Sequence, residues 1–492
     1  MDNQYILAID AGTTGITVVV IDHQGQIRHR EYSEFTQYYP KSGWVEHDAE
    51  EIWHTSLKLI RQIFTRYPAR NCAGLGITNQ RETTIIWDKQ SGKPIHKAIV
   101  WQCRRTMDYC NHLISQGCAD TIKKKTGLVV DSYFSGPKIN WLLNNVAAIN
   151  ANSTHENLMF GTVDTWLIWN LTGGRVHATD HTNASRTMIY NIHELQWDKE
   201  LLGIMEIPSC ILPEVHNSTD NFGQTSTDLF DVSIPIHGVA GDQQSALFGQ
   251  LGVEVGDLKT TYGTGCFLLV NCGESNISSS AGLLSTIACD AKGHPVYALE
   301  GSVFIGGAVI QWIRDELHLI NNADETESIA QSVVDSGEVV IVPSFTGIGA
   351  PYWRSDIKGA IFGLHRGTNK NHLIRAALES IAFQVNDLVN AVNVDLTSPL
   401  LSMFVDGGAV KNDFLMQFQS DILNIPVTRP KQIESTALGA GYLAGIGLGF
   451  WSSVHELKKY KEIETVFKPG MSSSNRDMNL QKWKKAIDTL IR

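Results

Sequence analysis

No Cys-x-x-Cys pair occurs among the eight cysteines, which fall singly at positions 72, 103, 110, 118, 210, 266, 272 and 289. Zinc and dithiol chemistry therefore lack their usual spacing, and free thiols in a reducing cytoplasm are the plainer expectation. The 17 histidines include no His-Glu-x-x-His, which removes the commonest helical zinc motif. Long apolar runs are missing too. The stretch 437–451 would span about 22 Å as a helix, short of a ~30 Å hydrocarbon core, and its Gly and Ala content suits close packing inside a protein. No basic cluster precedes an apolar run near residue 1, so no secretory signal is expected. An excess of positive charge is also lacking. Lys plus Arg total 40 against 51 Asp plus Glu, a net charge of −11, which disfavours nucleic acid and anionic membrane as partners.

What is present suffices for packed cores: 43% of the 492 residues are hydrophobic. One core rarely grows beyond roughly 250–300 residues, so at least two domains are expected. The economical cut lies near 249–256, dividing the chain into 1–252 and 253–492. Residues 5–10 and 16–22 read as strands around a tight turn. Residues 50–63 carry apolar side chains at helical spacing, 72–78 form a short buried strand, and 83–87 a further strand. A second start appears at 257–270, again strand, Gly-Thr-Gly turn and strand, echoing the opening hairpin. Alternating strands and helices predict α/β layers. The basic run Lys123–Lys124–Lys125 reads as a solvated helix face.

Glycine is mildly abundant, 42 residues, and its placement is informative. Three glycine loops follow strands: Asp10-Ala-Gly12-Thr13-Thr14-Gly15, Gly263-Thr264-Gly265, and Asp406-Gly407-Gly408 leading to Asn412. Glycine lets backbone approach a ligand and aim N–H groups at phosphate oxygens. Thr13 and Thr14 add hydroxyl donors, and Asp10 suits a hydrated Mg²⁺, which takes one or two carboxylates plus water and substrate phosphate. No Gly-x-x-x-x-Gly-Lys-[Ser/Thr] is present, and no Gly-x-Gly-x-x-Gly follows the first strand, so P-loop and dinucleotide folds are disfavoured. Gln80-Arg81-Glu82 offers a cation and a carboxylate to neighbouring hydroxyls of a polyol. Asp242, in Gly241-Asp-Gln243-Gln244, sits between a buried strand and an apolar helix, a suitable place to accept a hydroxyl proton. Trp101 and Tyr133 supply aromatic walls.

The stretches Ile77-Thr-Asn-Gln-Arg-Glu-Thr-Thr84, Ile99-Val-Trp-Gln-Cys-Arg-Arg105, Gly161-Thr-Val-Asp-Thr-Trp-Leu-Ile-Trp169, Gly241-Asp-Gln-Gln244, Thr261-Tyr-Gly-Thr-Gly-Cys-Phe267 and Val405-Asp-Gly-Gly-Ala409 together resemble the FGGY carbohydrate kinases, from residue 6 to 451. Within the family they are most similar to the branch that acts on glycerol. The resemblance implies two actin-like, ribonuclease H-like α/β domains flanking a cleft for nucleotide and substrate. It implies ATP and Mg²⁺ as cofactors and glycerol as phosphate acceptor. Asp242 and Arg81 would be catalytic. Glycerol would be held by Arg81, Glu82, Trp101, Tyr133, Asp242, Gln243 and Phe267. The nucleotide would meet Thr13, Thr14, Gly15, Thr264, Gly307, Gln311, Gly408 and Asn412, with Asp10 at the metal. A homo-oligomer, dimer or tetramer, is implied as well.

Three departures from the family pattern stand out. The opening loop usually continues Thr-Thr-Ser-Ser-Arg, whereas here Thr17 replaces the arginine, removing a cation expected at the nucleotide phosphates. Residues 225–234 hold neither Gly nor Arg where relatives bind fructose 1,6-bisphosphate, so inhibition by that ligand is not expected. Arg354 follows Trp353 where the family has aspartate.

Overall fold

The computed structural model describes residues 4–147, 155–275, 277–354, 356–396 and 399–492. The opening hairpin is formed by β1 (Tyr5–Ala11) and β2 (Gly15–Ile21), and β2 is followed by β3 (Ile27–Glu34). Helix α1 (Ala49–Arg66) buries Ile52, Trp53, Leu59, Ile60 and Ile63 on one face. Asp48 caps it, accepting from the Glu50 amide at 3.0 Å, a contact of the kind that contributes about 1 kcal/mol. Strand β4 (Cys72–Asn79) leads into Gln80-Arg81-Glu82, and β5 (Ile236–Gly241) leads directly into α2 (Asp242–Gly249). The spatial order is β5-β4-β1-β2-β3. The first three strands form an antiparallel meander; β4 and β5 run parallel to β1.

The second half repeats this plan. Strands β6 (Leu258–Tyr262) and β7 (Cys266–Gly273) form the second hairpin, β8 (Leu284–Cys289) follows, and β9 (Pro295–Val303) pairs with β7. After α3 (Ala308–Asp315) and the long α4 (Lys370–Asp395) come β10 (Met403–Asp406), α5 (Asp413–Leu423), β11 (Val427–Pro430), α6 (Ser435–Gly447), β12 (Ile463–Phe467) and α7 (Ser473–Ile491). The order is β8-β9-β7-β6-β10-β11-β12. Within it, β9-β7-β6-β10-β11 has the same meander-plus-two-parallel arrangement as the first sheet. The echo between the two hairpins in the sequence is thus one corner of a five-strand repeat, with β8 and β12 added at the edges.

The halves meet through two helices that each follow the fifth strand of their own sheet. Helix α6 crosses from the second half to lie on β1, β4 and β5 and against α2. Their backbones touch: a Cβ added at Gly439 would meet the Ser245 carbonyl at 1.8 Å, and one at Gly249 the Ser435 carbonyl at 2.0 Å. The apolar run 437–451 therefore falls largely on α6, a helix buried between the halves, and no described helix is long and apolar enough to cross a membrane. The second half has a contiguous core of its own, and the first sheet has another beneath α1.

Candidate active site

Parallel strands expose their carboxyl ends on one edge, and ligands of α/β sheets gather there. Asp10 lies near the end of β1, in register with Thr78 of β4, and Gly241 of β5 is in register with Asn79. This register delivers Asp10, Arg81-Glu82 and Asp242 to one edge. Arg81 and Glu82 are not surface residues, since each is only 2% exposed. Glu82 also takes a left-handed backbone, φ 59°, with its carbonyl held by the Ser135 and Thr84 hydroxyls. Such conformations cost of order 1–3 kcal/mol in a non-glycine residue and concentrate at functional sites.

Arg81 is gripped from both halves. Its Nη1 and Nη2 donate to the two oxygens of Glu300 at 2.5 and 3.0 Å, and Nη1 also reaches Gln244 Oε1 at 3.1 Å. Its Nε lies 3.0 Å from Asp242 Oδ1 without forming an aligned hydrogen bond. Arg186 donates from Nε to Glu82 Oε1 at 2.6 Å and stands 3.0 Å from Glu300. Burial pushes the Glu300 carboxyl up, but Arg186 and Arg81 outweigh it and hold the group below the usual glutamate range. For Glu82 burial prevails over the same two cations, and its pKa is raised. Arg81 Nε and Arg186 Nη1 are buried donors without a protein acceptor among the described residues. Unpaired buried donors beside carboxylates match what a polyhydroxy ligand supplies.

Sequence reasoning missed Glu300, Arg186 and Lys259. A signal existed for Glu300, a charge inside the otherwise strand-like Val-Tyr-Ala-Leu-Glu-Gly-Ser-Val of β9, and for Lys259 inside β6. Arg186 carried none, because its role depends on a short helix, His181–Ala184, that turns it beneath Glu82.

The predicted walls converge. The Trp101 ring lies edge-on to Tyr133 at 5.6 Å and to Phe267 at 6.1 Å between centroids. The Trp101 indole donates to Thr13 Oγ1 at 2.9 Å, which ties the aromatic wall to the opening loop and leaves the threonine hydroxyl free to donate. Gln243 Oε1 accepts from Lys259 Nζ at 2.5 Å, and Lys259 also donates to Thr261. Burial lowers the Lys259 ammonium to about 8. Trp101 and Tyr133 line a cleft of about 680 Å³ together with Thr264, Arg104 and Phe304.

Thr264 also lines a neighbouring cavity of about 500 Å³ with Gly307, Gln311, Gly408 and Asn412. Gly408 faces open space, while Gly407, φ 92°, lies so close to Tyr262 that a Cβ would meet its carbonyl at 2.5 Å. Asn412 caps α5, accepting from the Leu415 amide at 2.9 Å. Among the remaining predicted contacts, Thr14 is exposed at the hairpin tip and Gly15 is buried at the start of β2. The bare Cα of Gly15 is required by β3, since a Cβ would meet the Ser33 carbonyl at 2.6 Å. Asp10 is pushed up to about 8 by burial and then by the like charges of Asp242 and Glu434. Arg354, without a sequence-level account, forks onto Asp356 and donates to the Ile491 carbonyl at 3.1 Å, fastening its loop to the end of α7.

Known proteins share this sequence and fold. The FGGY family of carbohydrate kinases matches with its N-terminal domain over residues 5–249 and its C-terminal domain over 258–448. A glycerol kinase of Photorhabdus laumondii is 52% identical over 491 residues, covering 99% of this chain and 98% of that one. Glycerol kinase 2 of Thermotoga maritima is 51% identical over 486 residues, 98% of each. Among solved structures, Plasmodium falciparum glycerol kinase with ADP superposes with a TM-score of 0.92 at 37% identity, covering 99% of this chain and 98% of that one. Fold and sequence agree: the chain belongs to the FGGY family of carbohydrate kinases.

Proposed function

We propose that this protein transfers the γ-phosphoryl group of ATP to a terminal hydroxyl of glycerol, giving sn-glycerol 3-phosphate and ADP. The observation that carries this reading is Arg81, held by Glu300 with Asp242 3.0 Å away and within electrostatic reach of Tyr133, whose ring lines a cleft that shares Thr264 with a second cavity. Charge placed that rigidly recognises hydroxyls, and the rings close over the carbon chain of a small acceptor. The relatives named glycerol kinase, above half identical over nearly the whole chain, support glycerol over a longer sugar.

Phosphoryl transfer has a loose, in-line transition state, so the protein positions the reactants and stabilises charge. Among Glu82, Glu300 and Asp242, Asp242 alone is substantially exposed, 28% at its side chain, and it takes the proton of the attacking hydroxyl. Arg81 orients Asp242 and donates to the acceptor, while Glu82, held by Arg186, accepts from a neighbouring hydroxyl. Thr13, Thr14 and the loop amides meet the phosphates, and the 500 Å³ cavity takes the adenosine. The mutual repulsion of Asp10 and Asp242 fits a divalent cation, which would be held at Asp10. Bound there with the nucleotide, Mg²⁺ would supply charge neutralisation at the phosphates.

A coupled assay with ATP, Mg²⁺ and glycerol, alongside a no-glycerol control and a panel including xylulose and ribulose, tests the reading. Turnover strictly dependent on glycerol is expected. Faster turnover with a ketose would replace the acceptor and keep the chemistry. ATP hydrolysis indifferent to every acceptor would sink the proposal.

A further inference from the structure

The proposed reaction brings the triphosphate of a nucleotide to an edge already crowded with carboxylates. Asp10 feels the like charges of Asp242 and Glu434. Two nearby cations are committed: Arg81 is enclosed by Glu300, Asp242 and Glu82, and Lys259 is buried on Gln243 and Thr261. Arg30 is placed differently. It sits on β3 in register with Val19 of β2, two residues along from Thr17. Residues two apart share a face of a strand, and Thr17 is itself in register with Asp10. Arg30 therefore lies on the Asp10 face of the sheet.

Its guanidinium runs back along that face. Nη2 stands 3.5 Å from Thr17 Oγ1, and Nε stands 3.1 Å from Glu434 Oε1, where α6 of the second half begins. It is close enough to Asp10 to offset part of the repulsion there. The Arg30 and Glu434 side chains are 43% and 37% exposed. An ion pair that open to water is weak and is exchanged at little cost. A phosphate offers a guanidinium more charge than a carboxylate does and accepts the same two-pronged hydrogen bonds. Thr17, being short, leaves the guanidinium room to swing.

We infer that Arg30 is the exchangeable cation of the phosphate loop, leaving Glu434 to bind the terminal phosphates of the nucleotide. This rests on the reading that ATP phosphates enter beside Asp10 and Thr13. The role is assigned to a side chain from β3, the third strand of the meander, rather than to the loop itself.

Three variants of the full chain test it: Arg30→Gln, Glu434→Gln, and the double variant Arg30→Gln with Thr17→Arg. Arg30→Gln is expected to raise the KM for ATP and the Kd for ADP about tenfold, with the Kd for adenosine and the KM for glycerol unchanged. Glu434→Gln breaks the same ion pair but keeps the cation, so ATP and ADP should bind as well as in the parent or more tightly. Adding Thr17→Arg returns a guanidinium to the same spot from β2 and should recover most of the lost ADP affinity. The inference is overturned if Arg30→Gln leaves ADP binding within twofold. It is equally overturned if adenosine weakens as much as ADP, or if Glu434→Gln reproduces the loss, since either result makes Arg30 a structural strap. Failure of the parent chain to phosphorylate glycerol would instead count against the proposed reaction, because ADP and adenosine binding are read without an acceptor.

Discussion

The two halves share a five-strand plan and use its carboxyl edge in opposite ways. In the first half the strands end in charged side chains, Asp10, Arg81, Glu82 and Asp242, three of which interlock. In the second half the matching ends carry glycine turns, Gly263 to Gly265 and Gly407 to Gly408, around an open cavity. One edge is specific through fixed charge, the other through shape and bare backbone. On the proposed reading, the repeated plan divides labour between acceptor and nucleotide.

That division is breakable by substitution. Asp242→Asn should cost the most, lowering kcat about a thousandfold while leaving the Kd for ADP within a fewfold, by steady-state kinetics and calorimetry. Near-normal turnover would remove Asp242 as the base. Glu300→Gln leaves Arg81 and Arg186 short of a buried counter-charge, and losses of about 3–5 kcal/mol accompany such a change. A large drop in denaturation midpoint, with a glycerol KM raised more than the ATP KM, is expected. Equal effects on both substrates would show that the charge cluster serves the whole fold rather than one edge.

Gly408→Leu probes the other edge. No atom lies within 4 Å of an added Cβ, so the protein should fold normally while the side chain fills the cavity. The KM for ATP should rise about tenfold, from one fewer well-packed contact surface of order 1–2 kcal/mol, with glycerol unaffected. A glycerol KM that moved with it would blur the comparison.

A smaller effect concerns pH. His47 is fully buried, with Nε2 2.6 Å from Gln37 and Nδ1 3.2 Å from Gln80, and these two glutamines hold the Thr13 and Gly12 carbonyls of the opening loop. Burial lowers its pKa from 6.5 to about 3. The unfolded chain therefore binds the proton first, so the stabilisation is complete above pH 6.5 and is lost as pH falls from there towards 3. His47→Gln should flatten this part of the stability profile; identical acid profiles would refute the assignment. At the bottom of the scale no effect at all is expected. Fructose 1,6-bisphosphate should not inhibit, because residues 225–234 form a short helical turn, Thr227–Phe230, anchored by buried Phe230 and bearing Asp228 and Asp231 but no cation. Inhibition at millimolar ligand would place a site elsewhere.

Much of the site was legible because its motifs are local. Gly-Thr turns, Asn-Gln-Arg-Glu and Gly-Asp-Gln-Gln each join one strand to the next element, and strand ends are where function gathers in such sheets. The opening hairpin, α1, β4 and the hairpin at 257–270 were readable from period and turn chemistry for the same reason. The repeat itself was not, since β9, β10 and β11 reach their places through long insertions that leave no fixed sequence spacing. Gln243 and Asn412 carry contacts that no motif announces: the carbonyl oxygen of each accepts a hydrogen bond from the protein, from Lys259 and from the Leu415 amide.

By itself the sequence determined the chemistry on offer: which loops carry bare backbone, which strand ends carry charge, and that no membrane-length apolar run exists. Only the tertiary structure decided which charges meet. Glu300 lies 219 residues from Arg81 and Glu434 lies 404 from Arg30, counting along the chain, and both pairs form across the two halves. Periodicity and turn rules report on neighbours within a few residues. An ion pair between sheets depends on how α2 and α6 bring those sheets together, and that is set by backbone contact at glycines such as Gly249 and Gly439, not by any local signal at the charges themselves.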